Sequence, residues 1–192
     1  KAWDAGSIIQ VGWHWSVPSK EGETDINNYA FYSSGTTFDI NEALKEGTWQ
    51  RKLIDSQISK LAGYLKLLQD AGIPVLFRPL HEAAGDYSWS SWFWWGDGGA
   101  EPCTRLWKYL RDQLQGTYGL HNLIWVWTVQ TNDQGKLCTD LEKARAWYPG
   151  DDYVDIVGAD LYVAKGTSQS AAFKFVNNSV KGKKKKDNRG FY

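Results

Sequence analysis

Short apolar segments alternate with amphipathic segments along this chain, and no other feature constrains the fold as strongly. The amphipathic segments predict helices at 48–71, 102–115, 139–147 and 168–180. The apolar segments predict strands at 6–15, 73–80, 121–128 and 153–162. Strands that alternate with helices indicate parallel βα units, and uninterrupted apolar strands are expected where a sheet is covered on both faces.

The helix predicted at 48–71 has the clearest pattern, with Gly72 placed where a C-terminal cap belongs. Its apolar residues repeat at helical spacing: Ile54, Ile58, Leu61, Leu65 and Leu68. The helix at 102–115 has Pro102 near its start. One face of this helix carries Leu106, Leu110 and Leu114.

Two long loops, 16–47 and 81–101, follow predicted strands at their carboxyl ends. Long loops at that edge are typical of the active-site face of a (β/α)₈ TIM barrel. A doubly wound open sheet is the alternative, but no glycine-rich phosphate loop follows any strand. Only four βα units fit in 192 residues, so the prediction is an α/β fold of the TIM-barrel type with about half of the barrel in this chain.

Half a barrel exposes two sheet edges and apolar faces that further units would cover. We therefore expect self-association or pairing with a complementing fragment. One domain, a partial one, is predicted to span 1–180. A basic tail, KGKKKKDNRGFY, occupies 181–192.

Composition excludes several classes of function. The chain is 42% hydrophobic and 23% charged, as expected of a globular protein. No apolar run approaches the roughly 20 residues that span a bilayer, and no signal peptide is visible at Lys1. Outside the basic tail there are 16 basic and 21 acidic residues, and this acidic body argues against nucleic acid as the main partner.

The two cysteines, Cys103 and Cys138, lack the spacing of a metal site. They either form one disulfide in an oxidising compartment or remain free thiols.

Polar and aromatic residues gather at the ends of the predicted strands, the edge that carries the active site of a βα barrel. The chain has 12 tryptophans and no methionine. Tryptophan rings either stack on the apolar faces of sugars or fill a large core. The strand ends hold Trp13, His14, Trp15, Arg78, His81, Glu82, Trp125, Trp127, Thr128, Asp160 and Tyr162.

Glu82 is the strongest catalytic candidate, because it follows a buried strand and precedes an aromatic loop. Low polarity raises the pKa of a carboxyl group, as a general acid for glycosidic cleavage requires. The alternative is a structural Glu82 paired with Arg78 at the end of the strand.

His81 precedes this carboxylate and is expected either to hydrogen-bond substrate or simply to be a satisfied polar residue. The segment HEAAG lacks the second histidine of a zinc-protease motif, since Gly85 stands in its place, so no metal is predicted. His14 is expected to contact substrate, with the same structural alternative. His121 is placed at the opposite end of its strand and is interpreted as structural.

Four aromatic residues at 92–95 are expected to alternate between core and groove, as side chains of an extended segment do. Trp92 is predicted to stack on sugar, and similar reasoning assigns Trp15 a substrate contact. Trp127 is predicted to bind substrate from its own strand end. Tyr162 is expected to donate its hydroxyl to a catalytic carboxylate, whereas Asp160 is interpreted as structural.

Together these segments resemble glycoside hydrolase family 26, the β-mannanase family. FRPLHE at 77–82, followed by WFWWG at 92–96, resembles the family's fourth-strand signature, here with a longer loop. GWHW at 12–15, NLIWVWT at 122–128 and VDIVGADLY at 154–162 resemble its third, fifth and sixth strands. The resemblance covers nearly all of 6–180.

The resemblance implies a (β/α)₈ barrel that hydrolyses internal β-1,4-mannosidic bonds of mannan with retention, without metal or organic cofactor. It makes Glu82 the acid/base. It places four residues around the cleaved bond: His14, His81, Trp92 and Tyr162. Some family members act on mixed-linkage β-glucan or xylan, and substrates of this size imply a secreted, periplasmic or cell-surface protein.

The sequence also departs from the family at the nucleophile. The family's nucleophile is a glutamate at the end of the seventh strand, and the last glutamate of this sequence is Glu142. Two other interpretations therefore stay open. One is a non-catalytic glycan-binding remnant, and the other is an unrelated parallel α/β protein whose tryptophans are all core.

Overall fold

A computed structural model describes residues 2–85, 91–130 and 145–160 of the chain. One sheet consists of four parallel strands in the order β1 (Ile9–Gly12), β4 (Val75–Arg78), β5 (Leu123–Gln130) and β6 (Ile156–Asp160). Gly12 pairs with Arg78, and Gln130 pairs with Asp160, so the carboxyl ends of these strands meet at one edge. The parallel βα order predicted from the sequence is confirmed.

Two helices cover the sheet at positions close to the predicted ones. They are α2 (Trp49–Asp70) and α4 (Ala100–Arg111), and one π-helical segment (Asp112–Thr117) continues α4. The Thr48 side chain caps α2 by accepting a hydrogen bond from the Arg51 N–H. Gly72 follows at a φ of 69°, the left-handed cap conformation that glycine adopts readily.

The hydrophobic core lies between this sheet and the helices. The apolar face of α2 contributes Ile54, Ile58, Ala62 and Leu65, whereas α4 and its continuation contribute Leu106, Leu110 and Leu114. Trp107 and Trp125 meet edge to face in the same layer. Most of the core residues that the helices contribute are therefore those whose spacing predicted the helices.

The long loop at 16–47 contains five short elements: β2 (Val17–Pro18), β3 (Tyr29–Ala30), α1 (Ile40–Ala43) and two 3₁₀ turns, Ile26–Asn28 and Ser33–Gly35. It also contacts the second long loop. The backbone N–H of Ser33 donates to the Trp92 carbonyl, and the backbone N–H of Trp94 donates to the Phe31 carbonyl. Both loops therefore meet at the carboxyl edge of the sheet, where the barrel prediction placed a site.

Some predicted elements differ or lie outside the described residues. The first strand is shorter than the predicted 6–15, because the chain leaves the sheet after Gly12. Only the last three residues of the helix predicted at 139–147 are described, and the helix at 168–180 and the tail at 181–192 lie outside. Cys103 is buried, and Cys138 lies outside, so the disulfide stays a prediction. None of the described helices is long and apolar enough to cross a membrane.

Candidate active site

A pocket of about 350 Å³ opens at the carboxyl edge of the sheet. It brings together three residues that the sequence singled out for chemistry, His14, His81 and Glu82, although His14 is far from the others in the chain. The full lining is His14, Tyr32, Arg78, His81, Glu82, Trp92 and Phe93. Glu82 is only 6% exposed, so its carboxylate lies in a largely desolvated place.

The backbone around Glu82 is in an unusual conformation. Leu80 has a φ of 48° and Glu82 a φ of 54°, both in the left-handed region. This region costs a non-glycine residue about 1–2 kcal/mol, and such residues cluster at functional sites. The Gly85 N–H closes the turn by donating to the Glu82 carbonyl at 3.0 Å. A tight turn that follows β4 directly therefore presents Glu82 to the pocket.

Three tryptophans of the second loop hold this turn and its surroundings by their indole N–H groups. Trp92 donates to Oε2 of Glu82 at 3.2 Å, and Trp95 donates to the His81 carbonyl at 3.1 Å. Trp94 donates to the Trp15 carbonyl at 2.6 Å. Each N–H therefore binds a group at a strand end.

The expected alternation of residues 92–95 is wrong, because Phe93, Trp94 and Trp95 are all buried. Trp94 begins a short helix, α3 (Trp94–Asp97), in which successive side chains do not point to opposite faces as they do in a strand. Trp92 alone of the four keeps an exposed part of its ring. Its predicted stacking on sugar stays a prediction.

His81 and His14 face each other, with their Nε2 atoms 3.3 Å apart and their rings edge to face. Burial, and after it the Arg78 charge and His14, together lower the pKa of His81 to about 4. His81 is therefore neutral at neutral pH, and a proton lies between the two Nε2 atoms on one ring or the other.

This neutral histidine makes stability depend on pH. In the unfolded chain His81 binds a proton as the pH falls through about 6.5, whereas in the folded chain it does so only near pH 4. The unfolded state therefore binds more protons between these values, and the free energy of unfolding falls as the pH is lowered. We expect the titration of His81 to lower the free energy of unfolding by about 1–2 kcal/mol between pH 6.5 and pH 5.

Urea unfolding of the wild-type chain and of His81→Gln at both pH values measures this contribution. The variant should lose less stability between the two pH values than the wild type. Equal losses would show that His81 titrates normally in the folded chain.

Arg78 forms an ion pair with Asp160, joining the ends of β4 and β6 across β5. Both side chains are mostly buried, so each charge needs this partner. The ion pair supports the interpretation of Asp160 as structural. The structural alternative for Glu82, a pairing with Arg78, stays a prediction.

The predicted substrate contact of Trp15 is wrong for this structure. Its ring is 0% exposed, and its N–H donates to Oε1 of Gln57 at 2.5 Å. Trp13 stacks over one face at 4.0 Å, and Trp94 meets the ring edge to face. Side-chain alternation puts Trp15 inward and leaves His14 facing the pocket.

Two other predicted substrate contacts stay predictions. Trp127 is 5% exposed, and Tyr148 packs edge to face against it. Tyr162 lies outside the described residues.

Tyr32 and Phe93 line the pocket and were missed by the sequence reasoning. Their rings stack at 5.4 Å, and Tyr32 remains 50% exposed. Tyr32 belongs to the segment YAFY in the first long loop. The aromatic residues of this segment could have marked it as a candidate for the site. No local sequence pattern, however, shows which part of a long loop reaches the pocket.

Comparison with known proteins places these features in a family. A model of glycosyl hydrolase family 26 matches residues 1–187. Mannan endo-1,4-beta-mannosidase B of Piromyces sp. is 35% identical over 184 residues, which are 96% of this chain and 28% of that protein. The chain thus spans less than a third of this relative's length.

Solved structures agree with this assignment. The GH26 domain of an endo-beta-mannanase/endo-beta-glucanase from Prevotella bryantii has a TM-score of 0.78 and 36% identity, covering 94% of this chain and 56% of that one. A beta-mannanase from a symbiotic protist of the termite Reticulitermes speratus, complexed with gluco-manno-oligosaccharide, has a TM-score of 0.71 and 41% identity, covering 94% and 51%. These similarities confirm the predicted fold class, a part of a (β/α)₈ TIM barrel.

Proposed function

Because the chain belongs to glycosyl hydrolase family 26, we propose that it carries the acid/base part of an endo-β-1,4-mannanase active site. The reaction is hydrolysis of internal β-1,4-mannosidic bonds of mannan or galactomannan with retention. The printed name of the Piromyces relative supports mannan as the substrate.

One observation carries this proposal: Glu82 lies in a pocket at the strand ends, held by an indole N–H. In the first step the Glu82 carboxyl protonates the glycosidic oxygen as the bond to the leaving sugar breaks. In the second step the Glu82 carboxylate takes a proton from the attacking water.

A retaining mechanism needs a second carboxylate roughly 5 Å from the first, acting as nucleophile. The family resemblance assigns that role to a glutamate of the seventh strand, and no glutamate follows Glu142 in this sequence. We propose that the nucleophile comes from residues outside this sequence. Glycan binding without hydrolysis, which the sequence analysis also left open, is the second candidate function.

A substrate panel tests the proposal. The 192-residue chain is incubated with galactomannan, mixed-linkage β-glucan and xylan, reducing ends are measured, and Glu82→Gln is the blank. Calorimetry with mannohexaose measures binding in parallel. We expect mannohexaose binding, and reducing ends from galactomannan wherever a second carboxylate is available.

Each other outcome has a definite meaning. Binding without release would favour the glycan-binding function. Release from β-glucan or xylan in preference to galactomannan would overturn mannan as the substrate. If the chain neither binds nor cleaves any of the three polymers, the proposed function is wrong.

Two further expectations remain proposals. A polymeric substrate supports a secreted, periplasmic or cell-surface location. Self-association or pairing with a complementing fragment is supported by exposed apolar residues on and beside β1 and α2, namely Ile8, Tyr64 and Leu67. Light scattering tests it, and a monodisperse monomer would contradict it.

A further inference from the structure

We propose that Trp95 is a positioning residue for Glu82: its indole N–H holds the His81 carbonyl and thereby fixes the peptide from which the Glu82 side chain projects. The catalytic meaning of this role rests on the proposed function. The structural part of the proposal does not.

Trp95 is placed to hold that carbonyl firmly. It is 0% exposed, and its N–H donates to the His81 carbonyl at 3.1 Å. Its ring stacks on Phe93 at 4.4 Å and lies tilted against the His81 ring at 5.6 Å. A large buried ring with contacts on several sides has little freedom to follow the carbonyl if the carbonyl moves.

The held carbonyl belongs to the peptide that links His81 to Glu82. The orientation of this peptide is set by ψ of His81 and φ of Glu82, which rotate together when the carbonyl swings. Glu82 has a φ of 54°, which an L-residue leaves for negative values unless its surroundings prevent the rotation. A swing of the His81 carbonyl would accompany that rotation, and the Trp95 bond opposes it.

The carboxylate would respond to such a rotation, because it projects from the rotating residue. In the present conformation Oε2 of Glu82 accepts the Trp92 N–H. Relaxation of φ would carry the carboxylate away from this donor. The Trp92 indole signal therefore reports whether Glu82 keeps its position.

Trp94 provides a matched control in the same helix. It is also 0% exposed, and its N–H also donates to a backbone carbonyl, that of Trp15. That carbonyl is not part of the Glu82 turn. Trp94→Phe and Trp95→Phe thus each remove one buried hydrogen bond and similar ring volume, but only the second touches the peptide next to Glu82.

The experiment follows the Trp92 indole N–H by ¹⁵N NMR through a pH titration of the 192-residue chain, with the signal identified by its loss in Trp92→Phe. In the wild type and in Trp94→Phe we expect the signal to shift as Glu82 titrates. In Trp95→Phe we expect that shift to be lost. Where the chain hydrolyses mannan, kcat should fall about tenfold in Trp95→Phe, with KM nearly unchanged, because a displaced acid weakens the chemical step more than binding.

The proposal would be overturned if the Trp92 signal of Trp95→Phe shifted with pH as it does in the wild type. It would also be overturned if Trp94→Phe lost this shift as completely as Trp95→Phe. If the Phe variants unfold, benzothienylalanine at position 95 keeps the ring shape and replaces N–H by sulfur, and it should give the same loss. Failure of the proposed function shows separately, as a wild-type chain that neither binds nor cleaves mannan.

Discussion

Replacing Glu82 with Gln is expected to lower the rate of mannan hydrolysis by about 10²–10⁴-fold, the usual contribution of a positioned general acid. The amide has nearly the same shape as the carboxyl group, and its oxygen can still accept the Trp92 N–H. It cannot deliver a proton to the leaving oxygen. Mannohexaose affinity should therefore remain close to that of the wild type.

Glu101→Gln is the matched control. Glu101 lies in the first turn of α4, and its exposed side chain forms an ion pair with Arg105. This substitution makes the same chemical change at an exposed surface position, where ion pairs contribute little. Hydrolysis that survives Glu82→Gln, or falls equally in Glu101→Gln, would show that Glu82 is not the acid. Assays should use the preparation in which the wild-type chain releases sugar.

Replacing Gly96 with Ala is expected to destabilise the fold by about 2–3 kcal/mol, the upper part of the usual range for adding a methyl group to a packed site. A Cβ at this position would lie 2.0 Å from the Ala83 carbonyl oxygen and 2.3 Å from Oγ of Ser91. The first neighbour is backbone and belongs to the turn that carries Glu82, so it cannot move without disturbing the site. Urea unfolding measures the loss.

Gly63→Ala gives the control within the same chain. Gly63 is also helical, in α2, and a Cβ there would meet nothing within 4 Å. Alanine is favoured over glycine in a helix by about 0.5–1 kcal/mol, so this variant should be more stable than the wild type. If Gly96→Ala were tolerated as well as Gly63→Ala, the close packing of α3 against the Glu82 turn would be wrong.

Local patterns were sufficient for the main elements. The repeat of Ile54, Ile58 and Leu65 gave α2 nearly to the residue, since one apolar stripe can be buried only as a helix. The four short apolar runs predicted the central residues of the four parallel strands. The position of Glu82, directly after such a strand, was enough to place it at the edge where barrels carry their sites.

Local patterns failed where distant segments meet. The run of aromatics at 92–95 has no period that distinguishes a strand from a single helical turn, and in the structure a short helix begins only at Trp94. Trp13, His14 and Trp15 alternate as expected, but the sequence does not say which side faces the pocket. Tyr32 reaches the site only because its loop bonds to the second loop.

The sequence by itself determined the alternation of strands and helices, the placement of Glu82 at a strand end and the family resemblance. All of these depend on residues close together in the chain. Only the tertiary structure decided that Trp15 is core, that Arg78 pairs with Asp160, and that Trp92 and Trp95 bond to Glu82 and to its preceding carbonyl. Those contacts join residues from separate elements, and their geometry is fixed by packing, which no local pattern records.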